Sequence, residues 1–180
     1  MKEQEMEIRF IKDLLEKRIL YLGGFIDGAM IEKISKEIIW LNVQSKNDIT
    51  LYINSDGGNI GAGFTLYDVI NLSESITTGI VLKTASSMMI AALQGCKKRK
   101  ALKHSVFNFH DLAYKTETTR NNRNNTEHER EEITKRQIEY NRIVGDRIIG
   151  GPEKVGELCE NNKVLSADEA KELGLIDEII

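Results

Sequence analysis

Ile49-Thr50-Leu51-Tyr52-Ile53-Asn54-Ser55-Asp56-Gly57-Gly58-Asn59-Ile60-Gly61-Ala62-Gly63 is the stretch that decides the fold. Ile49 to Ile53 is mostly β-branched, aromatic or aliphatic and stops at a turn cluster, as a buried strand does. Asn54 to Gly58 reads as a turn, where glycine permits positive φ and leaves backbone N–H groups uncovered. Ile60, Phe64, Tyr67 and Ile70 then follow at helical spacing. A strand, a glycine turn and a helix N-terminus together favour negative charge, whether phosphate, carboxylate or developing oxyanion. A tight turn without chemistry explains the same residues equally well, because one glycine turn is a weak signal.

Around this stretch the 180 residues are expected to form a single domain, 1–180. The composition is that of a globular chain, and a net charge of -3 argues against a nucleic-acid-binding face. Cys96 and Cys159 have neither metal-type nor redox-type spacing, which favours a reducing compartment. Met1-Lys2-Glu3-Gln4-Glu5 is too acidic for a signal peptide, and no apolar run reaches membrane-spanning length. A cytoplasmic protein without membrane or nucleic-acid partners is expected.

In chain order, residues 1–18 suggest a short amphipathic helix or partly ordered arm, and Arg18 to Gly24 a strand ending in glycines. Asp27 is placed to cap a helix striped by Ile31, Ile34, Ile38 and Leu41. Beyond the glycine turn come a β-rich run, Ile76 to Leu82, and an all-round apolar helix, Met88 to Leu93. Lys97 to Lys100 reads as a solvated turn, and Ser105 to Phe109 as a strand ending at His110. From Lys115 to Arg136 the chain is almost wholly polar and is expected to project, within a handle segment of about 115–150. Thr126 and Glu129 have capping-box spacing there, and Ile133, Gln137, Tyr140, Val144 and Ile148 continue with helical period. Ser166 and Glu169 form a second capping box, and Leu175 to Ile180 closes the chain as a strand. Strands and helices alternate throughout, so the class is α/β.

His104, His110 and His128 are scattered, and no Gly-Lys-Ser/Thr follows the glycine turn, which leaves hydroxyl nucleophiles. Thr84-Ala85-Ser86-Ser87-Met88 lies where a strand becomes a buried helix. A serine there is an N-cap by default, yet a helix N-terminus also stabilises a nearby oxyanion.

In order along the chain, five segments resemble the ClpP family of self-compartmentalising serine peptidases, which work with AAA+ unfoldases. They are Lys17 to Asp27, Leu51 to Gly58 (with Asp56 where the family has proline), Thr84 to Met88 followed by Gly95, Ala101 to His110, and Leu165 to Ala170 with Gly174 to Asp177. The resemblance implies a ClpP/crotonase-type ββα spiral with a projecting handle helix, assembled as a homo-oligomer of stacked rings, heptameric in the family pattern. It implies an endopeptidase acting on peptides or unfolded proteins through an acyl-enzyme, with no cofactor; ATP would belong to the unfoldase. Counting nine residues back from Gly95 gives Ser86 as nucleophile, with His110 as base and the amides of Gly58 and Ser87 as the oxyanion hole. The third triad position holds Asn162 where the family has aspartate, and Asp111 and Glu160 stand nearby as substitutes.

Two departures bear on partners. No glycine follows His110 before Gly145, and the N-terminal part is short, which puts the usual AAA+ partner in question. Two rival readings stay open: a catalytically silent regulatory or structural subunit of a ClpP-like particle, and an acyl-CoA enzyme of the crotonase fold. The carry-over of activity from fold alone is not sufficient to decide among them.

Overall fold

The computed structural model describes residues 2–113 and 123–180. A first helix, α1 (Lys2–Glu16), leads into β1 (Ile19–Ile26), α2 (Gly28–Gln44), β2 (Ile49–Gly58), α3 (Ile60–Asn71), β3 (Thr77–Ser86) and α4 (Met88–Gln94). Two short strands, β4 (Lys98–Ala101) and β5 (Val106–Asn108), precede the long helix α5 (Arg123–Gly145). Then come α6 (Gly151–Glu160), β6 (Val164–Ser166), α7 (Ala167–Glu172) and β7 (Glu178–Ile179).

The strands form one sheet in the order β1-β2-β3-β4-β7, all parallel. This sheet forks at β3. Its first half, Thr78 to Val81, pairs with β4; its second half, Thr84 to Ser86, pairs with β5, and β5 pairs antiparallel with β6. The carboxyl ends of β2, β3 and β5 therefore converge where the pairing changes partner. In open α/β sheets that is where ligands bind.

Local chemistry explains most element boundaries. Asp27 accepts the Met30 amide and starts α2, Asn59 accepts that of Ala62 and starts α3, and the Ser166–Glu169 capping box starts α7. Ile34, Ile38 and Leu41 bury one face of α2, while every residue of α4 is buried. Together with Leu22, Ile53, Val81 and Phe107 they form a continuous core. The 23 residues of α5 make a rod about 34 Å long. It is exposed from Glu127 to Glu131 and docked at Tyr140, Ile143 and Val144. No described helix is long and apolar enough to cross a membrane.

Four expectations change. Asn54 to Gly58 is the irregular last half of β2, with a register shift between Ile53 and Ser55, rather than a turn beyond the strand. Lys97 to Lys100 is mostly strand β4, and Arg99 is buried rather than solvated. Its guanidinium donates to Gln94 Oε1 and to the Gly174 and Leu175 carbonyls, and it pairs with Asp177. Helix α5 already runs at Arg123, so Thr126 lies inside it and does not cap it. The closing strand is only Glu178–Ile179. Residues 115–122 of the expected projecting segment lie outside the described residues.

Candidate active site

Glycine at position 57 has a reason that its sequence context does not reveal. Its φ is +91°, and a Cβ there would lie 2.7 Å from the Ser86 carbonyl oxygen and 2.9 Å from the Ser87 Cβ. The end of β2 thus packs directly beneath the turn from β3 into α4. At Gly58 a Cβ would meet the Ile26 carbonyl oxygen at 2.3 Å, so this position is glycine because β1 passes so close. The Gly57 amide is already used, donating to Ser55 Oγ at 3.1 Å. Opposite Gly58, the Ile26 carbonyl takes the Asn59 amide at 2.8 Å, and Gly58 keeps its own amide out of that bond.

The two adjacent serines differ sharply. Ser86 ends β3 in register with Asn108, and its hydroxyl is buried and committed: Asn108 Nδ2 donates to it at 2.6 Å, and Thr84 Oγ1 lies 3.0 Å away. Ser87 is the residue before α4, with φ 50° and ψ −127°, a conformation that L-residues other than glycine avoid. Its side chain makes no capping bond. Strain of this kind at a strand-to-helix turn is how a serine hydroxyl is presented to substrate in the nucleophile elbow of hydrolases.

Backbone amides change places in the same way. The Ser87 amide, expected in the oxyanion hole, donates to the Asn108 carbonyl at 3.0 Å and is not open. Among the described residues the Met88 amide, at the first helical position, has no recorded partner, as helix N-termini require. It lies 3.2 Å from where a Gly57 Cβ would be, so it faces the cleft between the two turns. Tyr140 of α5, fully buried, reaches the Ser87 carbonyl with its hydroxyl at 3.4 Å; burial pushes its phenol well above the ordinary range and keeps it protonated.

His110 leaves β5 on the same side. The preceding amide, Phe109 N–H, donates to the Lys163 carbonyl at 2.9 Å, which brings the backbone at His110 beside that at Asn162. His110 is exposed and its Nδ1 lies 2.7 Å from the carbonyl oxygen of Asp111. A carbonyl only accepts, so Nδ1 carries the proton and Nε2 keeps the lone pair. Asn162 is exposed with φ 46°, and its side chain makes no hydrogen bond to His110 among the described residues. Asp111 and Glu160 are both exposed.

The topology therefore brings Gly58, Ser86, Ser87, His110 and Asn162 to one end of the sheet, without a closed hydrogen-bonded triad among their side chains. Met88 and Tyr140, which the structure places beside the serine turn, were not singled out from the sequence as site candidates. The first follows from any shift of the serine by one position; the second had no signal beyond its place in an apolar stripe. No group of three or more His, Cys, Asp or Glu side chains among the described residues could hold a metal ion.

A family model described as Clp protease matches residues 2–180. Among solved structures, a mutant of ClpP1 from Listeria monocytogenes with asparagine replaced by aspartate is similar at a TM-score of 0.85 and 25% sequence identity, covering 95% of this chain and 95% of that chain.

Proposed function

The chain belongs to the Clp protease family, and from that premise we propose that it is a serine endopeptidase whose nucleophile is Ser87 in place of Ser86. The observation that carries this reading is the backbone of Ser87: a strained φ of 50° at a strand-to-helix turn, with an uncapped hydroxyl. Ser86 has the opposite character, since its hydroxyl already bonds Thr84 and Asn108.

In the proposed reaction Ser87 Oγ attacks the scissile carbonyl while His110 Nε2 takes its proton. The amides of Gly58 and Met88 receive the oxyanion, and His110 returns the proton to the leaving amine. Water then attacks the acyl-enzyme by the same route in reverse. Preorganised amides of this kind matter because losing one oxyanion donor costs about 10²–10³ in rate. Asn162 is the side chain at the family's third position and can accept an Nδ1–H bond, though it supplies no charge to the imidazolium.

Peptides or unfolded proteins are the proposed substrates, cleaved in the cytoplasm inside a ring-shaped homo-oligomer. Large apolar side chains left exposed on the single chain, Ile39 and Val43 of α2 and Leu72 after α3, fit an assembling subunit better than a lone one. A partner ATPase is carried over from the family alone.

The test is intact-mass spectrometry after a fluorophosphonate probe, on the native chain, Ser86→Ala and Ser87→Ala. One adduct that persists in Ser86→Ala and vanishes in Ser87→Ala is expected. An adduct lost only in Ser86→Ala would return the nucleophile to that residue. No adduct on an assembled particle would favour the silent subunit.

A further inference from the structure

One peptide group lies between the histidine and the long helix. The carbonyl of Asp111 faces His110 Nδ1 at 2.7 Å, and the N–H on the other side of the same peptide, that of Leu112, donates to Gln137 Oε1 at 2.8 Å. Gln137 Nε2 in turn donates to Asn141 Oδ1 at 2.8 Å, one helical turn further along α5. The Leu112 N–H can only donate, which fixes the oxygen as the end of the Gln137 amide that faces it and leaves the nitrogen to donate to Asn141. The result is a continuous relay: His110 Nδ1–H to the peptide Asp111–Leu112, then to Gln137 and Asn141.

We propose that this peptide, held by Gln137, does for His110 what the third member of a serine-peptidase triad does, and that Gln137 is a positioning residue for the catalytic histidine. The proposal rests on the reading of His110 as the general base. A backbone carbonyl accepts Nδ1–H and so selects the tautomer with a free Nε2, which is the part of the third residue's role that depends on geometry. It brings a dipole in place of a full negative charge. The relay partly offsets that loss, because an N–H already bonded to Gln137 polarises its peptide and strengthens the carbonyl as an acceptor. Leu112 is buried and Gln137 half-buried, so the peptide is anchored from the protein side while His110 remains exposed.

The surroundings suit a neutral relay. Cys159 packs against Gln137, and burial, with the Asp111 carboxyl, pushes its thiol up to about 12, so it stays uncharged. Asp111 and Glu160 are the carboxylates near this cluster, both exposed. Asn162 takes no part in the relay among the described residues.

The experiment compares Gln137→Leu, Gln137→Glu, Asn141→Ala and Asn162→Ala in the full chain by two readouts. The first is the pH profile of Ser87 acylation by a fluorophosphonate. The second is the pH profile of His110 modification by diethylpyrocarbonate, which requires no activity. Gln137→Leu is expected to lower the acylation plateau by about 10–100-fold, as loss of position does, with unchanged saturation by the probe. It also shifts the His110 ionisation in both profiles. Gln137→Glu keeps the acceptor and restores most of the rate, with the His110 profile moved to higher pH by the added carboxylate. Asn141→Ala changes both readouts in the direction of Gln137→Leu by a smaller factor, and serves if Gln137→Leu fails to fold. Asn162→Ala changes both readouts by a smaller factor than Gln137→Leu does.

Wild-type profiles in Gln137→Leu, or in Asn141→Ala should the former not fold, would overturn the proposal. So would a loss in Asn162→Ala as large as that in Gln137→Leu. If the wild-type chain is not acylated at all, the peptidase reading fails, and the diethylpyrocarbonate profiles alone decide whether Gln137 positions His110.

Discussion

Substituting Gly57 by alanine probes the contact between the end of β2 and the serine turn. The added methyl carries two costs that the structure separates. The first is conformational: φ at 57 is +91°, and a side chain held in that region costs about 1–3 kcal/mol. The second is steric, because the new Cβ would lie 2.7 Å from the Ser86 carbonyl oxygen and 2.9 Å from the Ser87 Cβ. The first is a backbone oxygen and the second a Cβ whose place is fixed by its own backbone, so neither can swing away as the end of a flexible side chain would. Ordinary contact begins at 3.4 Å, so the Ser86–Ser87 backbone must retreat by about 0.7 Å, the difference between the two distances. Displacements of that size at a reacting group cost about 10²-fold in rate. The expected result is a fall in melting temperature of about 2–12 °C for a chain of this length. It is accompanied by a fall of about 10²-fold in the maximal rate of fluorophosphonate acylation on the fraction that remains folded. The concentration of probe giving half-maximal rate should barely move. Thermal unfolding and stopped acylation time courses, read by intact mass, measure the two separately. A variant that loses stability but acylates at the native rate would show that Gly57 serves folding alone, and the close approach to Ser87 would then have no catalytic meaning.

Other outcomes follow from the same geometry. Arg99→Leu removes a buried guanidinium and strands Gln94 and two carbonyls, while the half-exposed Asp177 returns to water; it should destabilise the chain by about 1–3 kcal/mol in urea unfolding, as leaving buried acceptors unpaired does. Asp177 should shape the acid limb of stability. Burial works to raise its pKa, but the hydrogen bonds and charge of Arg99 outweigh this and hold it below the ordinary value. A carboxyl with a depressed folded pKa stabilises above its unfolded value and loses that contribution as pH falls through the folded one. Asp177→Asn should therefore flatten the stability curve below about pH 4 and lower the plateau above it; an unchanged acid limb would contradict the linkage. Burial pushes the Cys96 and Cys159 thiols up to about 12. Neither should react with an aromatic disulfide reagent in the native chain, and both should react in denaturant.

Much of this molecule could be read from local pattern. The apolar stripe of α2, the wholly apolar α4, the Asp27 cap and the Ser166–Glu169 box each depend on residues a few positions apart, and each forms where the pattern puts it. Three features escaped for a common reason: they are set by partners distant in the chain. Arg99 sits in a run of basic residues that reads as solvated, and its buried guanidinium is satisfied chiefly by Gly174, Leu175 and Asp177, 75 to 78 residues later. The continuation of β2 through Gly58 depends on β1 lying alongside it. The preference for Ser87 over Ser86 that we propose is of another kind: it rests on the backbone angle at Ser87, whereas the sequence reading counted a spacing from Gly95. Nothing in the order of side chains announces a φ of 50°. Gln137 was visible as a helical position, but its bond to Leu112 crosses 25 residues and had no local sign.

The distance along the chain between Arg99 and Asp177 also orders events in time. At synthesis rates of about 5–20 residues per second, the 78 residues between them take about 4–16 s to appear. Through that interval β4 can pair with β3 but has no β7 on its other side, because Lys100 and Ala101 await Glu178 and Ile179. The nascent sheet therefore carries an open edge at β4 besides that of β1, and a guanidinium without its carboxylate. A charge at that edge opposes pairing with the wrong strand, so the residue that later locks the fold first guards it while the chain is still growing.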